Sequence, residues 1–244
     1  MVVSAFITVR TSSERLPGKC LLEFGKNNVL EHVICRSIQG GLDPIVCTTD
    51  NSQDDIIYEI ATGLGAKVFR GAEKNKLKRW NDCCDQFDIE EFHTVDCDDP
   101  FFDPEEVKRS FALLRRGGYD VVVPTQTSSS GGAIMGYSLT RNIVNEAVSL
   151  TKTNEDTEMM WYWLDKVKGV KKITLPEINK NPIKARLTLD YEEDYWLLCS
   201  MVNILGNTAS RKEVENFLKV NPDFYKINWF RNQEWADGQK AKAP

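Results

Sequence analysis

Residues 2–9 read VVSAFITV, and residues 10–19 read RTSSERLPGK. The first stretch is short, apolar and rich in β-branched side chains, a composition typical of a strand buried within a sheet. The second carries three cations and several hydroxyl groups in a loop that follows this strand. Because ligands of open α/β sheets bind at the edge where the strands end, the loop is a candidate site for a polyphosphate.

Three residues give this loop its phosphate-binding character. Arg15 presents a planar guanidinium that can hold two phosphate oxygens, Lys19 adds a compact mobile charge, and Gly18 lets the backbone approach a ligand. The loop matches neither G-x-x-x-x-G-K-[ST] nor G-x-G-x-x-G, so the mononucleotide and dinucleotide fingerprints do not apply. Arginine and lysine are more often solvated surface residues, and composition alone favours that alternative.

Helices and strands alternate after the opening loop. Apolar residues at helical or strand spacing, bounded by capping residues and glycines, predict strands and helices in succession. The predicted strands are 44–50, 67–70, 92–95 and 119–124, and the predicted helices are 29–38, 51–64, 77–87 and one that starts at Asp103 and Pro104. This alternation predicts an α/β fold with a mainly parallel sheet, right-handed crossovers and helices on both faces.

The alternation weakens beyond residue 125. Residues 126–180 are predicted to form a small subsidiary lobe for acceptor binding or dimerisation, within a single domain of residues 1–244. This lobe includes a polar connection, a helix capped by Thr140, and large apolar residues at 157–167, for which core or subunit packing is favoured over ligand contact. The remaining predictions are a strand at 186–190, helices at 191–205 and 211–220, and a frayed tail over the last ten residues.

Composition excludes several functional classes. Hydrophobic residues make up 41% of the chain and charged residues 27%, which is ordinary for a soluble globular domain, and no apolar run reaches the length of a membrane span. The sequence shows no basic and apolar leader, so we expect a cytoplasmic location and no membrane partner. A formal net charge of -5 disfavours a general nucleic-acid binder, because such proteins need a broad cationic surface.

Cysteine and histidine offer no competing site. The seven cysteines are odd in number, lack paired CxxC spacing and mostly fall in apolar segments, which indicates reduced, packed thiols. A nucleophilic Cys84 or Cys97 is disfavoured, because only His32 and His93 are available as imidazole partners and no local signature accompanies them. His32 lies at helical spacing among apolar residues and is predicted to be structural. Neither residue type has the spacing of a zinc site.

Acidic side chains follow two predicted strands. Residues 94–100 read TVDCDDP, and Asp190 follows the stretch ARLTL at 185–189. Carboxylates beside a polyphosphate repel it unless a divalent cation intervenes, and Mg²⁺ uses one or two protein carboxylates together with phosphate oxygens. Asp98 and Asp190 are therefore candidate Mg²⁺ ligands. Alternatively, Asp98 belongs to a turn and Asp190 caps the next helix.

Five segments within residues 1–195 form a pattern of fixed order and spacing. They are Arg10-x-x-Ser13-x-Arg15-Leu16-Pro17-Gly18-Lys19, Val46-Cys47-Thr48-Thr49-Asp50, Phe69-Arg70-Gly71-x-Glu73 with Leu77-x-Arg79, Asp98-x-Pro100 with Asp103-Pro104, and Leu187-Thr188-Leu189-Asp190-x-x-Glu193-Asp194. Together they resemble the cytidylyltransferases of the CMP-sugar branch, including the CMP-KDO synthetases and, more closely, the spore-coat polysaccharide type. The first segment is specific to this family, and the five segments in combination indicate the family more strongly than any one of them.

The resemblance implies a Rossmann-like nucleotidyltransferase fold, CTP as nucleotide donor, Mg²⁺ as cofactor and commonly a homodimer. It also implies roles for individual residues. These are Arg10, Ser13, Arg15, Lys19, Arg70, Gly71 and Arg79 for nucleotide binding, Asp98 and Asp190 for the metal, and Arg15, Lys19 and Asp98 for catalysis. Two positions depart from the family pattern: Cys97 stands in place of a common glycine, and Asp99 adds a charge beside Asp98.

The implied reaction is attack of an acceptor oxygen on the α-phosphorus of CTP, with release of pyrophosphate. Because positioning and charge stabilisation dominate such transfers, we assign no general base. The acceptor is expected to be a sugar or sugar acid, with a phosphate, phosphonate or other non-sugar acceptor as the nearest alternative. A non-catalytic nucleotide-binding protein is the alternative from a different class, because a fold alone does not establish activity.

Overall fold

A computed structural model describes residues 2–126, 136–152, 154–178 and 185–242, with side chains as far as residue 238. Its strands are β1 (Ser4–Thr8), β2 (Glu23–Phe24), β3 (Asn27–Asn28), β4 (Asp43–Thr49), β5 (Lys67–Gly71), β6 (Glu91–Asp96), β7 (Val121–Val123), β8 (Ser138–Thr140) and β9 (Lys172–Thr174). Seven of them form a central sheet in the order β5-β4-β1-β6-β8-β7-β9, and β2 pairs with β3 in a separate hairpin.

The central sheet is parallel on one side and mixed on the other. β1 pairs in parallel with β4 and β6, so that Phe6 lies between Ile45 and Thr94, and β4 pairs in parallel with β5. β8 runs antiparallel to β6 and β7, and β9 is parallel to β7. The predicted α/β fold with a mainly parallel sheet is confirmed, and β1, β4 and β6 all end at one edge.

Side-chain caps mark the start of several helices. The helices are α1 (Val29–Gln39), α2 (Asp55–Gly63), α3 (Lys76–Phe87), α4 (Pro104–Gly117), α5 (Arg141–Ser149), α6 (Met160–Leu164), α7 (Glu192–Leu205), α8 (Arg211–Val220) and α9 (Arg231–Lys242). The predicted helix at 51–64 opens with a 3-10 turn (Ser52–Asp54), and its α-helical part starts at Asp55 without a side-chain cap. Asn28 and Glu31 form a capping box at α1, Asp103 caps α4 ahead of Pro104, and Thr140 caps α5. In the described part of the chain, none of these helices has the length and apolar character needed to cross a membrane.

Strand β1 explains why helices cover both faces of the sheet. Its side chains alternate, so that Ala5 and Ile7 join a buried cluster with α1, α7 and α8, whereas Phe6 joins another with α3, α5 and α6. Phe6 stacks on Phe92 of β6 with the ring centroids 4.0 Å apart. A strand that is buried on both faces has to be apolar at its buried positions, as Ala5, Phe6 and Ile7 are.

The described part of residues 126–180 belongs to the central sheet and its core. β8 lies between β6 and β7, and α5 and α6 pack on the face that contains Phe6. Met160 and Trp163 are buried there, as core packing predicted, whereas Trp161 is 42% exposed. A role of this segment in acceptor binding or dimerisation stays a prediction, and most of its polar connection lies outside the described residues.

The predicted strand at 186–190 is wrong. The Leu189 amide donates to the Asp98 carbonyl at 2.7 Å, but the Leu189 carbonyl accepts from the Lys19 side chain at 2.7 Å instead of from a neighbouring strand. The apolar pattern predicts an extended backbone, yet it carries no information about whether a pairing partner is available.

The structure describes the predicted frayed tail, residues 235–244, as far as Lys242. Helix α9 continues to Lys242. At its start, Arg231 forms an ion pair with Glu193 of α7 at 2.8 Å. The polar composition of the tail gives no helical pattern of apolar residues, so the sequence did not predict this helix. Its position depends on contacts with a distant part of the chain.

Candidate active site

A cavity of about 810 Å³ opens at the edge where β1 and β6 end. Its walls come from the opening loop, the residues after β6, residues 188–191, residues 158–161 and the middle of α9. Parallel strands that end side by side bring such loops together. Arg15, Lys19 and Asp98, which are predicted to act in catalysis, all line this cavity.

The ammonium of Lys19 lies between the two carboxylates predicted to bind metal. Its Nζ is 2.6 Å from Asp98 Oδ2 and 3.1 Å from Asp190 Oδ1. Burial disfavours the charged amine, but the two carboxylates outweigh that effect and raise the pKa of Lys19. Two aspartates that are far apart in the sequence therefore converge on one point.

Three cations hold Asp190. Arg15 Nη2 lies 2.6 Å from its Oδ1, next to Lys19, and Arg186 Nη2 lies 3.1 Å from its Oδ2. Burial alone would raise the pKa of this carboxyl, but Lys19, Arg15 and Arg186 together lower it to about 2. Arg186 is itself fixed by Asp194, with Nε 2.9 Å from Oδ1. Asp190 is therefore ionised at neutral pH, and Arg186 fixes the orientation of its carboxylate.

The two departures from the family pattern have different consequences. The Cys97 side chain is buried in the core, and burial raises the pKa of its thiol, so it does not reach the metal candidates as a thiolate. Burial also raises the pKa of Asp99 well above its usual value, and its Oδ1 has no hydrogen-bond partner among the described residues. Burial raises the pKa of Asp98 too, although Lys19 opposes that effect. Asp98 alone of these three residues contacts Lys19 through its side chain.

Three further predicted nucleotide-binding residues line the cavity. Arg10 forms an ion pair with Glu158 at 3.6 Å, and the Ser13 amide donates to the Thr11 carbonyl at 2.9 Å within the opening loop. Arg79 is buried, which lowers its pKa, and its Nη1 donates to two carbonyls of the β5–α3 loop at 2.5 and 3.1 Å. Together with Arg15 and Lys19, five of the seven residues predicted for nucleotide binding meet at this cavity.

Arg70 and Gly71 do not line the cavity. Arg70 donates to the carbonyls of Thr49 and Asn51 at 3.0 and 2.8 Å and pairs with Asp55 at 2.6 Å, so its guanidinium fixes the turn between β4 and α2. A Cβ on Gly71 would lie 2.6 Å from the Phe69 ring, so packing accounts for this glycine. The structure thus separates these two residues from the other five.

Sequence reasoning missed a further set of residues that line the cavity. They are Lys76, Asp96, Tyr137, Glu158, Trp161, Tyr191 and Trp235. Two of them could have been found from the sequence. Asp96 ends the strand two residues before Asp98, and Lys76 lies at helical spacing from Trp80 and Cys84. Tyr137, Glu158 and Trp235 reach the cavity only through the tertiary fold.

The donor set suits a divalent cation. Asp98 and Asp190 both lie within 3.1 Å of one ammonium, so Lys19 shows that the two carboxylates can share a small cation. Among the described residues, no three His, Cys, Asp or Glu side chains form a closed metal site. Mg²⁺ does not require one, because it completes its coordination with water and phosphate oxygens.

An open α/β sheet with a cationic loop and two aspartates at one edge is typical of proteins with a Rossmann-like nucleotidyltransferase fold. The chain matches the family model for cytidylyltransferases over residues 4–221. It therefore belongs to the cytidylyltransferase family, as its sequence motifs predict.

Three known proteins are similar to this chain. The spore coat polysaccharide biosynthesis protein SpsF of Bacillus subtilis is 26% identical over 230 residues, which cover 89% of this chain and 94% of SpsF. A cytidylyltransferase structure from Leptospira borgpetersenii has a TM-score of 0.79 at 24% identity and covers 92% of this chain and 97% of that one. A CMP:2-keto-3-deoxy-manno-octonic acid synthetase, solved with CTP, shares the fold with a TM-score of 0.63 at 15% identity, covering 83% of this chain and 98% of that one.

Proposed function

We propose that the protein transfers CMP from CTP to a sugar or sugar-acid acceptor and releases pyrophosphate. The observation that carries the proposal is the contact of Arg15 and Lys19 with Asp98 and Asp190 at one sheet edge, in a chain of the cytidylyltransferase family. Two cations suited to phosphate and two carboxylates suited to a metal meet where ligands of such sheets bind.

Arg15 and Lys19 are proposed to bind the phosphates that leave as pyrophosphate. Their side chains are 29% and 15% exposed to the cavity, so phosphate oxygens can replace the carboxylate oxygens as their partners. The guanidinium takes two oxygens at fixed geometry, whereas the ammonium can turn towards a third. Negative charge that develops on the leaving group then meets cations that are already in place.

Asp98 and Asp190 are proposed to hold Mg²⁺. When bound, this ion would polarise phosphate oxygens and help to orient the triphosphate. When Lys19 and Arg15 bind phosphate, their contacts with the two carboxylates are lost. The carboxylate oxygens can then serve as metal ligands. Arg186 stays on Asp190 Oδ2 and keeps that carboxylate oriented.

The reaction is proposed to depend on positioning, because neither histidine reaches the cavity. His32 Nε2 lies 2.9 Å from the Pro100 carbonyl, and His93 Nδ1 lies 2.8 Å from Ser138 Oγ. Burial lowers the pKa of His32 to about 4 and that of His93 to about 3, so both stay neutral and structural. The chain contributes by aligning the acceptor oxygen with the α-phosphorus and by stabilising the charge on pyrophosphate.

Two alternatives differ from this proposal in what they predict. A phosphate, phosphonate or other non-sugar acceptor would change only the acceptor preference, because the nucleotide side of the cavity would act in the same way. A non-catalytic nucleotide-binding protein would bind CTP without releasing pyrophosphate. The likeness to SpsF, named for polysaccharide biosynthesis, over 89% of this chain supports the sugar acceptor.

Pyrophosphate release tests the proposal. The full chain with Mg²⁺ is incubated with CTP, UTP, ATP or GTP, with and without a panel of sugars, sugar acids, phosphate monoesters and phosphonates. We expect release with CTP and only in the presence of a sugar or sugar acid. Release with phosphorylated acceptors alone would favour the first alternative, and CTP binding without release across the panel would favour the second.

A further inference from the structure

A second pair of charged residues lines the cavity on the side of α3. Lys76, the first residue of α3, is 6% exposed, and its Nζ lies 2.9 Å from Asp96 Oδ1 at the end of β6. The ammonium also lies 5.1 Å from the ring centroid of Trp80. A buried lysine is costly unless it is paired, and Asp96 supplies the partner of Lys76 at the wall of the cavity.

The fold holds this pair in place from several directions. Asn75 caps α3 with its side chain, and a backbone amide in the first turn donates to Thr157 Oγ1 at 3.0 Å, which brings residues 158–161 against the helix. On the side of β6, Gly136 packs so closely that a Cβ would lie 2.1 Å from the Thr94 carbonyl oxygen. Both walls that flank the pair are therefore fixed by close contacts.

The pair has hydrogen-bonding capacity that no described residue uses. A lysine ammonium has three donors, and among the described residues Lys76 Nζ donates a single hydrogen bond, to Asp96 Oδ1. Asp96 Oδ2 accepts no side-chain hydrogen bond in the same part of the chain, and the Asp96 side chain is 36% exposed. An N–H donor and a carboxylate acceptor thus lie side by side at the cavity surface.

We propose that Lys76 and Asp96 form a subsite for two neighbouring hydroxyl groups of the sugar acceptor, an inference that rests on the proposed function. One hydroxyl oxygen accepts from Lys76 Nζ, and the adjacent hydroxyl donates to Asp96 Oδ2. The exposed indole of Trp161, which lines the same cavity, offers an apolar face to the C–H side of a sugar ring. A polyol can satisfy all three contacts at once.

The balance of charge favours hydroxyl groups over an anionic group at this subsite. An anion bound to Lys76 would also approach the Asp96 carboxylate, which lies 2.9 Å from the ammonium and would repel it. The nearby cation Arg10 is likewise paired, with Glu158. Burial raises the pKa of Tyr137 to about 12, so this phenol adds no charge. Lys76 and Arg10 on this side of the cavity are therefore each paired with a carboxylate.

Polyol binding by a Lys76→Met variant tests the subsite. Methionine keeps an unbranched chain against Trp80 and removes the ammonium. Saturation-transfer NMR on the full chain, with CTP and without divalent metal, measures binding of 3-deoxy-manno-octulosonate, N-acetylneuraminate and D-mannose, with methylphosphonate as a non-polyol. We expect at least one polyol to bind the wild-type protein and to bind Lys76→Met about 10- to 100-fold more weakly, because a hydrogen bond to a charged group is lost.

Lys78→Met is the matched control. Lys78 lies on the same helix, is paired with Asp82 at 2.5 Å and does not line the cavity. Equal polyol binding by the two variants would overturn the subsite, and so would a wild-type protein that binds none of the polyols. Loss of methylphosphonate binding in Lys76→Met with polyol binding intact would replace the subsite with an anion site.

Two further measurements keep this inference distinct from stability and from the proposed function. If Lys76→Met lowers the melting temperature, Asp96→Asn tests the other partner, and we expect it to weaken the same polyols. CTP affinity is measured on the same samples. A wild-type protein that does not bind CTP contradicts the proposed function, whereas normal CTP binding with unchanged polyol binding in both variants contradicts the subsite alone.

Discussion

Arg231 lies over the ring of Tyr191, with its guanidinium carbon 4.8 Å from the ring centroid. Arg15 of the opening loop lies over the same ring at 5.2 Å. Tyr191 therefore connects the C-terminal helix to the side chain proposed to bind the triphosphate. The helix also supplies part of the cavity wall through Glu234, Trp235 and Gly238.

Arg231→Met is expected to weaken CTP binding about three- to tenfold while the fold is kept, because a cation–π contact and a partly exposed ion pair each contribute about 1 kcal/mol or less. The loss arises because Arg15 is less firmly held. Titration calorimetry with CTP measures it. Lys226→Met is the control, since Lys226 pairs with Asp223 outside the cavity lining. The same CTP affinity in both variants would disprove the connection through Tyr191.

Asp98→Asn is expected to reduce turnover at least about 100-fold, because the variant removes a proposed metal ligand. The fold should survive, since Lys19 keeps Asp190 at 3.1 Å as a partner. Pyrophosphate release and the melting temperature are measured together. Asp85→Asn, which alters a surface ion pair with Arg141, provides the control. Near-normal turnover by Asp98→Asn would remove Asp98 from the metal site.

Arg15→Ala and Arg70→Ala are expected to have different effects, because Arg15 lines the cavity and Arg70 does not. Arg15 lines the cavity, and its loss should weaken CTP binding about 10- to 100-fold, the range for a lost hydrogen bond to a charged group. Arg70 fixes the turn after β4, so its loss should lower the melting temperature and change CTP affinity less than about twofold. A large loss of CTP affinity in Arg70→Ala would instead support the role in nucleotide binding that the family resemblance implies for Arg70.

The first half of the fold could be predicted because its elements are specified locally. The buried residues of strand β1 are apolar on both faces, and Asp103 and Pro104 mark a helix start without reference to the rest of the chain. The side of the candidate site formed by the opening loop and Asp98 followed from this pattern. Once parallel strands are inferred, their carboxyl ends share an edge, so the opening loop and Asp98 have to meet there.

The other side of the cavity depends on tertiary contacts that local spacing does not encode. Lys76 reaches the cavity because α3 packs against the end of β6, and Glu158 follows because Thr157 is tied to the first turn of that helix. Trp235 lies on a helix whose sequence is polar and whose position depends on Arg231 and Glu193. Hydrophobic periodicity predicts elements, whereas these residues depend on how the elements are arranged.

Acidification is expected to destabilise the protein through His93, which is fully buried in β6. Burial lowers its pKa from 6.5 to about 3, so the unfolded chain takes up a proton that the folded protein does not accept. Stability from the neutral imidazole is complete above pH 6.5 and is lost as the pH falls towards 3. The free energy of unfolding should therefore drop by about 2 kcal/mol between about pH 7 and about pH 5 from this residue alone. Urea denaturation of the wild-type protein and His93→Gln at both pH values measures the difference, and His32 contributes equally to both proteins. The same pH dependence in the two proteins would contradict a neutral, buried His93.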